Sequence, residues 1–256
     1  MKFKNILLFL IIITSLFINN VNAQGYKIKT IVIDAGHGGV KPGAKGKYSY
    51  EKNVALKVAL KLGKTLEQEL DGVKIIQTRK TDVDVDWYRR AEIANDAKAD
   101  LFISIHCNSM PKGNNYTKGT ETFVGAYRRI NEMDAGIKEN EDIINDKDFK
   151  KKGYDPTDPE ELIMLSLYKS LFRTKSLVLA KLIQKNYTEV NKRTNRGVKE
   201  QGLLILQRAA MPSVLTEIGF ISNAAEEDYM NSESGQEEIV NAIVNAIKEY
   251  KKQIEN

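Results

Sequence analysis

Hydrophobic and polar positions along this chain alternate between two rhythms, short unbroken apolar runs and longer runs of helical period. Ile31-Val32-Ile33 closes a first strand over residues 24–34, whose earlier part alternates through Tyr26 and Ile28. From Glu51 to about Leu70, Val54, Ala55, Val58, Ala59, Leu62 and Leu66 recur at helical spacing, which predicts an amphipathic helix stopped at Gly72. Val73–Thr78 reads as a short strand. Asp82–Asp86 leads into a second helix, with Trp87, Ala91, Ile93 and Ala94 spaced to face a sheet. Leu101–His106 is a third strand, and Gly119–Val124 alternates well enough for a fourth, nearer an edge.

Arg128–Glu161 breaks the rhythm with a dense run of charge, which reads as mostly exposed. Asp158-Pro159-Glu160-Glu161 then has the form of a helix start, with Asp as the cap and Pro in the first turn. No Gly or Pro intervenes before Arg196, so apolar positions from Leu162 to Ile183 predict one long helix or two end to end. Gly197 fits a cap after it. Leu203–Leu206 and Pro212–Glu217 read as two further strands, and Ser232–Lys251 as a closing helix with Ile239, Val240, Ile243, Val244 and Ile247 inward. Strands and helices alternate from end to end, which predicts one α/β sandwich.

Composition changes this picture at the amino terminus only. Lys2 and Lys4 precede the apolar run Ile6–Phe17, and Val21-Asn22-Ala23 offers a cleavage site, so residues 1–23 read as a secretory signal peptide cut before Gln24. The run is short for a membrane span. Removing two lysines takes the formal charge from +5 to +3. That small excess, in an exported protein, does not point to nucleic acid. The catalytic unit is expected over residues 24–256, monomeric, in the periplasm or secreted. The single cysteine, Cys107, cannot form an internal disulfide. Strand alternation puts it on the face opposite His106, so it reads as a core residue rather than a ligand.

The chemistry gathers at strand ends. The only two histidines, His37 and His106, each close an apolar strand, and His37 sits in the glycine-rich turn Asp34-Ala35-Gly36-His37-Gly38-Gly39. In open α/β sheets, ligands bind at the carboxyl edge. Catalytic zinc takes three protein ligands and leaves one position to water. With two histidines the third ligand has to be a carboxylate, and Asp34, Glu51 and Glu217 all lie at element ends. Glu51 is the best placed, a short loop away from His37. Glu217 could move a proton between water and a leaving amine. Asp34 is expected to hold His37 by its second ring nitrogen.

DAGHGG, the glutamate of YEKNVAL, SIHCNS and MPSVLTEIGFISN, with RGVK at Arg196–Lys199, resemble the signature blocks of the zinc-dependent N-acetylmuramoyl-L-alanine amidases, the amidase-3 family. The resemblance covers about Lys27 to Tyr250. It implies a mixed, roughly six-stranded sheet between helices in a three-layer sandwich. It implies zinc held by His37, Glu51 and His106, with Glu217 as general base and acid. The implied reaction is hydrolysis of the amide between N-acetylmuramic acid and L-alanine in the stem peptide of peptidoglycan. Lys41 and Cys107 depart from common family residues, and Asn108 implies a water or substrate contact rather than the metal contact of an aspartate. Some relatives carry an inhibitory helix that a protein activator displaces. Residues 131–172 occupy that place here, and Glu139, Glu141, Asp142 and Glu160 offer acids for it; the other reading is a loop shaping the substrate groove. A zinc carboxypeptidase or aminopeptidase, or a non-enzymatic cell-wall-binding protein, are the rival functions.

Overall fold

The computed structural model describes residues 26–111, 113–126 and 159–255. The expected signal peptide and most of the charged insertion lie outside the described residues. Six strands form one sheet: β1 (Thr30–Ala35), β2 (Lys74–Gln77), β3 (Leu101–Asn108), β4 (Thr120–Gly125), β5 (Asn195–Gln201) and β6 (Ser213–Phe220). The helices are α1 (Glu51–Glu69), α2 (Trp87–Asp96), α3 (Pro159–Glu189), α4 (Leu204–Gln207), α5 (Ala224–Asn231) and α6 (Glu233–Glu255). The strand order is β2-β1-β3-β6-β4-β5. Every neighbouring pair is parallel except β4 with β6, so the sheet is mixed.

β1, β3 and β6 lie centrally and are covered on both faces, so apolar residues follow one another without alternation in Ile31-Val32-Ile33 and Leu101-Phe102-Ile103, and every position of β6 is buried. On one face Ile31, Ile33, Ile103, Ile105, Val214 and Ile218 pack against α1, α3 and α6. On the other, Val32, Phe102 and Leu215 meet α2 and α4 in a smaller core. That makes three layers. The carboxyl ends of β1, β3 and β6 share one edge, and antiparallel β4 brings its amino-terminal end, Glu121, to the same edge opposite Glu217.

Four expectations need correction. Leu203–Leu206 is not a strand; Leu204–Gln207 is a single helical turn filling the smaller core with Leu203, Ile205 and Leu206. A four-residue apolar run has no readable period, so its type is set by packing. The strand before it is β5, and Gly197 lies inside that strand at φ 95° instead of capping a helix. The long helix is one element, and it ends earlier, at Glu189. Finally, α5 separates β6 from the closing helix. Asn223 caps it, accepting from the amides of Ala225 and Glu226 at 3.1 and 3.2 Å.

Early in α3 the apolar side chains of Ile163, Met164, Leu167 and Leu171 are exposed, whereas Leu179, Ile183 and Tyr187 are buried against the sheet. Among the described residues no helix is long and apolar enough to cross a membrane.

Candidate metal centre

The site begins where β1 ends. The backbone turns through His37 (φ 54°), Gly38 (φ 131°) and Gly39 (φ 56°). A left-handed backbone costs a non-glycine residue of order 1 kcal/mol, so something must hold His37 there. Two buried arginines do so. Arg90, from α2, donates to the carbonyls of Ala35 (2.6 Å) and His37 (2.7 Å) and to the Asp34 carboxylate (2.8 Å). Arg79, just after β2, donates to the carbonyls of Ala35 (2.9 Å), Gly36 (2.7 Å) and Lys52 (2.8 Å). The last contact ties the histidine turn to the first turn of α1.

Asp34 does not hold His37 as expected. Its oxygens accept from Thr78 (2.6 Å), Ser104 (2.6 Å) and Arg90, which consumes the carboxylate inside the sheet. Burial opposes its charge, but the Arg90 guanidinium and the two hydroxyls prevail and hold the carboxyl below its ordinary range. Asp34 therefore anchors Arg90, and Arg90 orders the turn.

Glu51 opens α1 and is buried. Its Oε2 accepts from the Ala44 amide (2.7 Å) and lies 3.1 Å from His37 Nε2. Its Oε1 accepts from the Cys107 amide (3.0 Å) and lies 2.9 Å from His106 Nδ1. Burial works against the charge, yet the adjoining imidazoles, His37 foremost, hold the carboxyl well below its ordinary value. One donor atom from each of His37, Glu51 and His106 can be chosen so that all lie within 4.8 Å of one another. The two rings stand 5.1 Å apart, edge to face.

Glycines make the room. A Cβ on Gly36 would stand 2.4 Å from His106 Cε1, and one on Gly43 would stand 2.6 Å from both Glu51 Oε2 and His37 Cδ2. Cys107 points into the larger core, as alternation predicts, and contributes only its amide to the site.

Glu217 pairs with His106 in the β3–β6 register, so the two side chains stand on one face of adjacent strands. On its other side is Glu121, a carboxylate not singled out from the sequence. Glu121 accepts from Arg196 (2.8 Å), Lys199 (2.9 Å) and the Asn108 amide (3.0 Å). Asn108 is thus turned toward Glu121. Arg79 and Arg90 carry no signal in the sequence, because most of their partners are backbone carbonyls.

The profile of the family described as N-acetylmuramoyl-L-alanine amidase matches residues 31–249. The N-acetylmuramoyl-L-alanine amidase AmiC of Escherichia coli O6:H1 is 29% identical over 233 residues, covering 86% of this chain but 52% of AmiC, so the chain spans about half of that relative. AmiA of Escherichia coli K12 is 29% identical over 223 residues, covering 87% of this chain and 76% of AmiA. Among solved structures, an N-acetylmuramoyl-L-alanine amidase from Clostridium difficile 630 superposes with a TM-score of 0.66 at 26% identity, covering 88% of this chain and 97% of that one.

Proposed function

Because the chain belongs to the N-acetylmuramoyl-L-alanine amidase family, we propose that it is a zinc-dependent hydrolase of the amide between N-acetylmuramic acid and L-alanine in peptidoglycan. The observation that carries this reading is the convergence of His37, Glu51 and His106 donor atoms within 4.8 Å, with Glu217 in register beside His106. Two imidazoles and one carboxylate are a donor set that suits catalytic zinc and leaves a position open. The space kept clear by Gly36 and Gly43 fits such an ion's ligands in place.

Bound zinc would supply a Lewis acid for the scissile carbonyl and lower the pKa of a water toward 7. The remaining work falls to the chain. Glu217 takes the proton from the attacking water and returns it to the alanine nitrogen as the amide breaks. Glu121 is paired with two cations, so Glu217 does not face an uncompensated second carboxylate. Arg79 and Arg90 keep His37 in place through the turn's carbonyls.

The reading extends to export, with cleavage between Ala23 and Gln24, and to control by a protein activator acting on residues 131–172. Replacing Glu141–Asp158 by a short Gly-Ser bridge tests the control: self-inhibition predicts higher basal hydrolysis, and a groove-shaping loop predicts unchanged or lower hydrolysis. For the metal itself the test is elemental analysis of the mature protein. One zinc per chain, lost in His106→Ala, is expected; a fully active protein without metal would overturn the assignment.

A further inference from the structure

Glu51 reaches the site directly after the loop Ala44–Tyr50. Tyr50 precedes α1 in an extended conformation and gives no side-chain cap. The loop closes on itself through Gly46 N–H to Ser49 O (2.9 Å) and Glu51 N–H to Ala44 O (2.9 Å). Those bonds leave the outward amides of the loop to be satisfied from elsewhere.

One distant carboxylate takes three of them. Glu227 of α5 accepts from the amides of Lys47 (2.7 Å), Tyr48 (3.0 Å) and Ser49 (2.8 Å), and from the Ser49 hydroxyl (2.7 Å). One turn further along α5, the Asn231 amide donates to Ser49 Oγ (3.0 Å) and to the Glu227 carbonyl (2.9 Å). Tyr48 donates to Asp228 at 2.9 Å. The loop is shaped for this approach. Gly46 lies so close that a Cβ there would stand 2.2 Å from Glu227 Oε1. Glu227 is itself buried, so its charge is kept by these donors and not by water.

We propose that Glu227 is a positioning residue for the metal centre: it fixes Lys47–Ser49 from outside so that Glu51 is held ready between His37 and His106. The inference rests on reading Glu51 as a zinc ligand. Its physical content is preorganisation. Glu51 sits two residues beyond the clamped amides, and its carboxylate has to meet both imidazoles before an ion arrives. Since α5 follows β6 directly, the segment carrying Glu217 also secures the ligand on α1. The clamp is three charge-assisted bonds wide and is made by a residue roughly 180 positions away.

The test compares wild type, Glu227→Gln and Gly46→Ala, each first stripped of metal. The glutamine sets an NH2 group among N–H donors. The alanine displaces the carboxylate without changing it, at a position whose backbone is not left-handed. Zinc affinity is read by competition with a chromophoric chelator, and hydrogen exchange of the Lys47–Ser49 amides is read in the metal-free state. Losing a partner bonded directly to a ligand typically shifts metal affinity about 10- to 100-fold, and a clamp two residues from the ligand is expected at the lower end, about 10-fold. The expected result is a loss of that size in whichever variants fold, together with faster exchange at Lys47–Ser49 while Ile103 and Ile105 remain protected. Zinc affinity within twofold of wild type in a folded variant would overturn the inference, as would exchange that rises equally through the sheet. If wild type binds no zinc, the metal reading fails and the inference with it, an outcome distinct from variants that bind as well as wild type.

Discussion

Glu217 stands directly beside His106, one strand over in the parallel β3–β6 register. Neither residue is on a loop. Each is the last part of a strand buried on both faces, so their separation is set by the sheet spacing of about 4.8 Å and not by a flexible connection. A proposed proton carrier and a proposed metal ligand are thereby held at fixed distance by two buried central strands.

That arrangement predicts a clean separation of roles. Glu217→Gln keeps the shape and the three proposed ligands, so zinc content and melting temperature should match wild type. Activity should fall by about 10²- to 10⁴-fold, the range general acid–base catalysis contributes. Activity within a few-fold of wild type would remove Glu217 from the mechanism.

His106→Ala should lose metal and activity together. It also deletes a neighbour of the Glu51 carboxylate, which lies 2.9 Å from His106 Nδ1. Restored hydrolysis on adding excess zinc to this variant, at wild-type rates, would argue against His106 as a ligand.

Arg90→Ala should be the most destabilising single change near the site. It leaves Asp34 buried with its charge uncompensated and frees the carbonyls of Ala35 and His37. Breaking a buried pair by removing one partner costs about 3–5 kcal/mol. Chemical denaturation of the metal-free protein measures it, and a loss under about 1 kcal/mol would contradict the role given to Arg90.

Acid stability follows from Asp34. Its folded pKa lies below its unfolded value of about 3.9, so its stabilisation is complete above that value and is lost as pH falls through the folded pKa. In metal-free protein, Asp34→Asn should flatten the dependence of unfolding free energy on pH below about 4. An unchanged slope would mean that Asp34 is not the group responsible.

These residues also show where the sequence was legible. β1 and β3 are legible because double burial gives them the unbroken apolar runs Ile31–Ile33 and Leu101–Ile103, and His37 and His106 are linked because parallel strands bring their ends to one edge. Glu51 was within reach of the same logic through its short loop. Leu203–Leu206 failed because four apolar residues fit a strand and a helical turn equally. The helix after β6 has a cap signal, Asn223 with Glu226 three residues on, but eight residues carry too short a period to stand apart from the closing helix. Asp34 lies close to His37 in sequence, whereas its partners Thr78, Arg90 and Ser104 come from three other segments. The clamp from Glu227 and the cations on Glu121 are of the same long-range kind, and no local pattern announces them.

The central claim is tested most directly by mass spectrometry of muropeptides before and after digestion of purified peptidoglycan with the mature protein. The account predicts intact stem peptides bearing a free amino-terminal L-alanine, together with glycan strands stripped of peptide, and neither product with Glu217→Gln. Stem peptides shortened from either end while still attached to muramic acid would contradict it and indicate a peptidase; an unchanged profile from zinc-loaded wild type would indicate a binding protein.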